Sequence, residues 1–188
     1  VTRNRAIAIT VILTAAICAA AVLIYTRGTP FKLPELPAIT PGYYRITEVV
    51  DGDTIEVDMN GQREKVRFIG VDTPETKKPN APVQCFGPQA SDYTKKLLAN
   101  KSVRLEADPT NDNRDRYGRL LRYIYTQDGT LVEESLIAQG YGFAYVSFPF
   151  QKKAEFSKLQ EQARTAKVGL WASCTPKLEG ERWQSNSL

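Results

Sequence analysis

The chain of 188 residues contains no histidine, and that absence removes most familiar hydrolytic chemistry. A Ser-His-Asp triad, a histidine-ligated zinc and a phosphohistidine intermediate all need an imidazole, so none can be built here. Net charge is the second scarcity. The formal charge is +4, but Arg3, Arg5, Arg27 and Lys32 against Glu35 supply most of it within the first 41 residues, and residues 42–188 are nearly neutral. Bulk electrostatics therefore cannot give the domain strong affinity for a polyanion, and any phosphate binding must come from a local cluster and a bound cation. Internal repeats and low-complexity tracts are also missing.

What is present begins with an uncharged run from Ala6 to Tyr25. At about 1.5 Å rise per residue it spans roughly 30 Å, the thickness of a bilayer's hydrocarbon core, and it reads as a membrane helix. Arg3 and Arg5 precede it, which favours a cytoplasmic N-terminus, while Arg27 and Lys32 on the far side oppose that bias. The competing reading is a signal peptide, with Ala6 to Cys18 as its apolar region and Ala19-Ala20-Ala21 as the cleavage site. Continuation through Val22-Leu23-Ile24 favours a retained anchor, and either way the remainder is expected outside the cytoplasm, membrane-bound or secreted. Pro30, Pro34, Pro37 and Pro41 then mark residues 26–41 as a linker of at most roughly 50 Å.

Beyond the linker, short alternating runs predict strands at Tyr44 to Val50, Thr54 to Met59 and Lys65 to Val71, with Asn60-Gly61 as a hairpin turn. Gly87-Pro88 opens a helix that runs to Asn100, and two further strands come next at Val103 to Ala107 and Leu120 to Tyr125. Helices are expected around Glu133 to Gln139 and Lys153 to Lys167. The fold class is α+β, mainly β: a five-stranded closed barrel of the OB type with about three helices, occupying residues 42–174. Residues 175–188 lose periodicity and read as a loosely ordered tail whose Trp183 can dock on the domain.

Three segments carry opposed charges: Asp51-Gly52-Asp53-Thr54, Arg67 through Glu75, and Arg116-Tyr117-Gly118-Arg119. Asp53 at a hairpin mouth and Asp72 at the end of the third strand can meet on one barrel rim. Two carboxylates about 4 Å apart repel by roughly 4 kcal/mol at an effective dielectric of 20, which a hard divalent cation relieves. Oxygen-only ligation selects Ca²⁺ or Mg²⁺. An ordinary Asp-Gly turn is the plainer reading of the first segment. Arg67 interrupts an apolar strand, so something anionic must meet it, either a substrate or a structural carboxylate. Cys85 and Cys174 form an even pair in the folded part, which in an exported protein reads as a disulfide, with two buried thiols as the alternative.

The ordered set D-G-D-T, R-F-x-x-V-D-T-P-E-T, F-G-P-x-A-S, R-Y-G-R, Y-I-Y and G-L-W, from about Tyr44 to Trp171, resembles the thermonuclease family, the staphylococcal nuclease homologues. The resemblance implies a Ca²⁺-dependent endonuclease that hydrolyses DNA and RNA with little sequence preference and leaves 3′-phosphate ends. It implies one Ca²⁺ held by Asp53, Asp72 and the main-chain carbonyl of Thr73, with Glu75 handling the attacking water and Arg67 and Arg119 on the scissile phosphate. Tyr117 and Tyr145 match nucleotide-contacting positions, and Arg116, Lys77 and Lys78 lie where substrate would pass. Two departures stand out: Asn80, Ala81 and Pro82 replace further lysines, and Ser147 replaces an aromatic residue. A monomer with no protein partner is expected. The rivals are a non-catalytic OB-fold receptor for nucleic acid at the cell surface and a tethered protein-interaction domain, the latter leaving Arg67 unexplained.

Overall fold

Asn60 and Gly61 take positive φ, 57° and 88°, as a two-residue type I′ turn requires, and they set the register of the second hairpin. The computed structural model describes residues 42–77 and 82–188; the apolar run 6–25, the linker to Pro41 and Lys78 lie outside them. β1 (Tyr44–Asp51), β2 (Thr54–Met59) and β3 (Gln62–Phe68) form an antiparallel meander in which Met59 faces Gln62 and Thr54 faces Arg67. Alternation along β2 and β3 sends Ile55, Val57, Val66 and Phe68 inward, where they are essentially unexposed.

β4 (Val71–Asp72) and β7 (Phe143–Ala144) make a separate two-stranded pair. β5 (Ser102–Glu106) pairs antiparallel with both β1 and β6 (Leu120–Thr126), and β6 runs parallel to β3, closing a barrel in the order β1-β2-β3-β6-β5. Closure leaves none of these five strands with an open edge. α1 (Gly87–Leu98), α2 (Val132–Ala138) and α3 (Lys153–Thr165) match the three expected helices, and a single extra turn, α4 (Leu170–Ser173), is too short to show a period in sequence. Leu136 of α2 and Phe156 of α3 seal the core formed by the barrel's inward residues. Among the described residues no helix is long and apolar enough to cross a membrane.

The third strand stops earlier than its apolar pattern predicts, and the break matters. It ends at Phe68, after which Gly70 adopts φ of 72° and any Cβ there would stand 2.6 Å from Phe150. The glycine lets the chain fold away from the barrel wall, so Asp72 sits on β4 rather than at the end of β3.

Asp108 fastens the β5–β6 connection to the segment before α3. It is 4 % exposed and accepts hydrogen bonds from Tyr123 Oη at 2.6 Å, the Gln151 main-chain N–H at 2.7 Å and Thr110. Burial pushes its pKa up, but the bonds from Thr110, Tyr123 and Gln151 outweigh burial and hold it below the ordinary value. A depressed carboxylate contributes stability that is present above its unfolded pKa and lost as pH falls through the folded one. Asp108→Ala should therefore cost about 2–3 kcal/mol at pH 7, with the difference shrinking below about pH 4. Urea midpoints at pH 7 and pH 3 measure this, and an unchanged gap would contradict it.

Cys85 and Cys174 are joined by a disulfide across 89 residues. On the chain-entropy model such a link stabilises by about 4–5 kcal/mol, so the Cys85→Ser, Cys174→Ser double variant should unfold at markedly lower urea concentration than the oxidised protein. Equal midpoints would remove the link from the stability account. The residues after Cys174 are not the loose tail their lack of periodicity predicts. β8 (Lys177–Glu179) and β9 (Arg182–Gln184) form a hairpin about Gly180, and Trp183 meets Trp171 edge-on at 5.1 Å. Cross-strand pairing and the disulfide order this stretch where length alone would not.

Candidate active site

The site starts from a steric constraint at the β1–β2 turn. A Cβ at Gly52 would lie 2.6 Å from Thr73 Oγ1, so glycine is what lets Thr73 close over Asp53. Thr73 then donates to Asp53 Oδ2 from its main-chain N–H at 2.9 Å and its hydroxyl at 3.1 Å, while Thr54 Oγ1 donates to Oδ1 at 3.0 Å. Thr94 of α1 holds the turn from behind through the Gly52 carbonyl at 2.7 Å.

Arg67 reaches into this arrangement from β3. Its Nη1 lies 3.2 Å from Asp53 Oδ2 and its Nη2 3.0 Å from Asp72 Oδ1, so one guanidinium joins the two carboxylates. Nη1 also donates to the Val71 carbonyl at 2.8 Å. The anionic partner that a half-buried arginine demands is thus, in this structure, the aspartate pair itself.

The rim carries more negative charge than Arg67 alone balances. Burial pushes the Asp72 carboxyl up; Arg67 opposes this, Asp53 reinforces it, and Arg182 opposes it further. Asp51 is raised to about 6, chiefly by burial, against hydrogen bonds from Thr76 and the Gly52 N–H and with help from the Asp53 charge and from Glu75. Crowded, half-dried carboxylates of this kind mark a place where a cation is favourable. Glu75 is fixed by its own loop: Gln84 accepts its main-chain N–H at 2.8 Å, and its Oε1 accepts the N–H groups of Thr76 and Lys77 at 3.0 and 2.8 Å.

Arg119 approaches from the start of β6. Asp115 clamps its Nε at 2.7 Å and its Nη2 at 2.6 Å, leaving Nη1 3.5 Å from Thr54 Oγ1, next to Asp53. Tyr117 is 68 % exposed and lies under both Arg116 and Arg119, with guanidinium carbons 4.9 and 5.5 Å from its ring centre. Tyr145 is held by its main-chain N–H on the Gly70 carbonyl at 2.8 Å and meets Phe148 edge-on at 5.4 Å. A cleft of ≈ 1210 Å³ takes in Asp53, Asp72, Thr73, Glu75, Arg67 and Arg119, together with Lys77, Arg116, Tyr117 and Tyr145. Lys78 lies outside the described residues, and Cys85 and Cys174, joined as the disulfide, do not line the cleft.

Sequence reasoning misses three participants. Asp51 reads only as part of a turn, and nothing local singles out Asp115. Arg182 arrives from β9, donating to Asp72 Oδ2 through Nε at 3.1 Å and Nη2 at 2.8 Å, with its guanidinium 5.2 Å from the Tyr145 ring centre. The signal that could have placed it is the Glu179-Gly180-Glu181 turn between Leu178 and Trp183, a hairpin pattern.

Among the described residues no three Asp, Glu or Cys side chains group as a complete set of metal ligands. Asp53 and Asp72 nevertheless bring carboxylate oxygens together on Arg67, donors of the kind a hard divalent ion takes, and such an ion commonly completes its shell with water. Carboxylates faced by paired guanidinium groups on a barrel rim define the class: a site for attack on phosphodiesters. Similarity to known proteins gives the family. Residues 65–173 match the model of the staphylococcal nuclease homologues, and the chain belongs to that family. It is 39 % identical to the thermonuclease of Staphylococcus hyicus over 166 residues, covering 87 % of this chain and 95 % of that one. It is 44 % identical to endonuclease YncB of Bacillus subtilis (strain 168) over 147 residues, 77 % of this chain and 67 % of the relative. The thermonuclease of Staphylococcus intermedius is 43 % identical over 129 residues, 68 % of this chain and 75 % of the relative. The chain is a nuclease, a phosphodiester hydrolase acting on nucleic acid.

Proposed function

We propose that this nuclease is an endonuclease that cuts DNA and RNA with little sequence preference, requires one Ca²⁺ per domain and leaves 3′-phosphate ends. The observation that carries the reading is the meeting of Asp53 and Asp72 on one guanidinium, in a cleft that Arg119 and Glu75 share. Asp53, Asp72 and the Thr73 carbonyl would hold the ion, which supplies charge neutralisation and Lewis acidity when bound. Glu75, fixed by its loop, aligns or deprotonates the attacking water. Arg67 and Arg119 take the phosphoryl oxygens, whose charge grows in the transition state. Tyr117, Tyr145, Arg116, Lys77 and Lys78 contact the nucleotides flanking the bond.

The protein is further proposed to act as a monomer outside the cytoplasm, tethered through residues 6–25 or secreted if they are cleaved. A disulfide suits an oxidising compartment and supports that location. The deciding experiment incubates the protein with plasmid and single-stranded DNA in calcium and identifies the ends produced. Internal cleavage to 3′-phosphates supports the proposal. Tight binding without cleavage favours the cell-surface receptor instead, and 5′-phosphate ends refute the proposed polarity.

A further inference from the structure

We propose that Arg182 is a substrate-binding residue whose guanidinium takes a backbone phosphate beside the scissile one, and that residues 174–188 are the strap that carries it into the cleft. This rests on the nuclease reading and adds a contact to it. The segment matched by the family model ends at residue 173, so Arg182 reaches the cleft from outside that segment.

The strap is built to hold a position. It leaves α4 at the Cys85–Cys174 disulfide and returns to the same cysteine, where the Cys85 N–H donates to the Asn186 carbonyl at 2.7 Å and Ser185 Oγ donates to the Cys85 carbonyl at 2.9 Å. The Leu188 N–H closes on the Val83 carbonyl at 3.0 Å, and Trp183 packs edge-on against Trp171. Ordering this many residues costs conformational entropy, and the strap brings Arg182, Gln184 and Ser187 to the cleft, Arg182 being the one charged side chain among them.

The local charge count assigns that side chain a ligand. Two carboxylates, Asp53 and Asp72, already face two guanidinium groups, Arg67 across both of them and Arg182 on Asp72 Oδ2. A divalent cation drawn to the same carboxylates leaves positive charge in excess along the wall formed by Asp72 and Tyr145. Arg182 is 46 % exposed in its side chain and uses Nε and Nη2 on one oxygen, while among the described residues no acceptor reaches Nη1. A planar fork with a donor to spare, beside a carboxylate that a cation would share, fits a phosphate diester.

The test compares wild type with Arg182→Gln and Arg182→Met, the latter keeping an apolar stem against Tyr145. The full chain is used in saturating calcium, with oligonucleotide cleavage kinetics, oligonucleotide binding against salt, and calcium titration without DNA. Expected is a rise in KM of about tenfold with kcat held within about twofold, and a salt slope of binding shallower by about one. Wild-type KM and salt slope in both variants would overturn the proposal. So would unchanged KM with tighter calcium binding, which would make Arg182 only a counter-charge to Asp72. If wild type binds DNA without cutting it, the nuclease reading fails, and the salt comparison still decides for or against Arg182.

Discussion

Cleavage of plasmid in millimolar calcium is expected to fall by at least about a thousandfold when EGTA removes the ion, and to return when calcium is restored. The reason lies in what the cleft lacks without a cation. Histidine is absent from the chain, so no imidazole can shuttle a proton or stabilise a pentacoordinate phosphate. Arg67, one of the two arginines assigned to the phosphate, is engaged by Asp53 and Asp72. If those carboxylates hold an ion, the Arg67 guanidinium would share their negative charge with it and would be freer to take a phosphate. Magnesium added over EGTA separates the two hard ions: full restoration would show that oxygen ligation is required but calcium is not. Unchanged cleavage in EGTA would remove the metal from the mechanism.

Replacing Arg119 by alanine should lower kcat by about a thousandfold or more and leave the fold intact. Its side-chain contacts are Asp115, Thr54 and the exposed ring of Tyr117 at the rim, and none is part of the barrel's apolar core. The effect should therefore appear in turnover and not in the urea midpoint. Lysine at this position should rescue poorly, because a single ammonium cannot reproduce the fork that Asp115 aims toward the cleft. Wild-type turnover in Arg119→Ala would show that the guanidinium does not meet the developing charge.

Much of the barrel is legible because its signals are local. Asn60-Gly61 dictates a hairpin, and alternation along Thr54 to Met59 dictates which side faces inward, so neighbours a few residues apart suffice. The turn Asp51-Gly52-Asp53 can be placed at a strand end, but the role of Gly52 cannot, since it depends on Thr73 arriving from β4. The third strand reads too long because Ile69 and Val71 continue the apolar run; the backbone turn at Gly70 overrides it. A hairpin turn can be read around Gly180, but the pairing of Arg182 with Asp72 cannot, because the two lie 110 residues apart and no period connects them. Pairings of that range are set by packing and by the disulfide, neither of which is written in a local pattern.

The single covalent staple also changes what a cut in the backbone would mean. Asp112 to Arg114 form an exposed stretch between β5 and β6, an inviting place for a protease, and they lie inside the span enclosed by the two cysteines. Nicking there would yield two polypeptides that migrate together on a non-reducing gel and separate only after a thiol is added. The half bearing Asp53 and Glu75 would remain attached to the half bearing Arg119 and Tyr145, so hydrolysis of one peptide bond need not scatter the machinery.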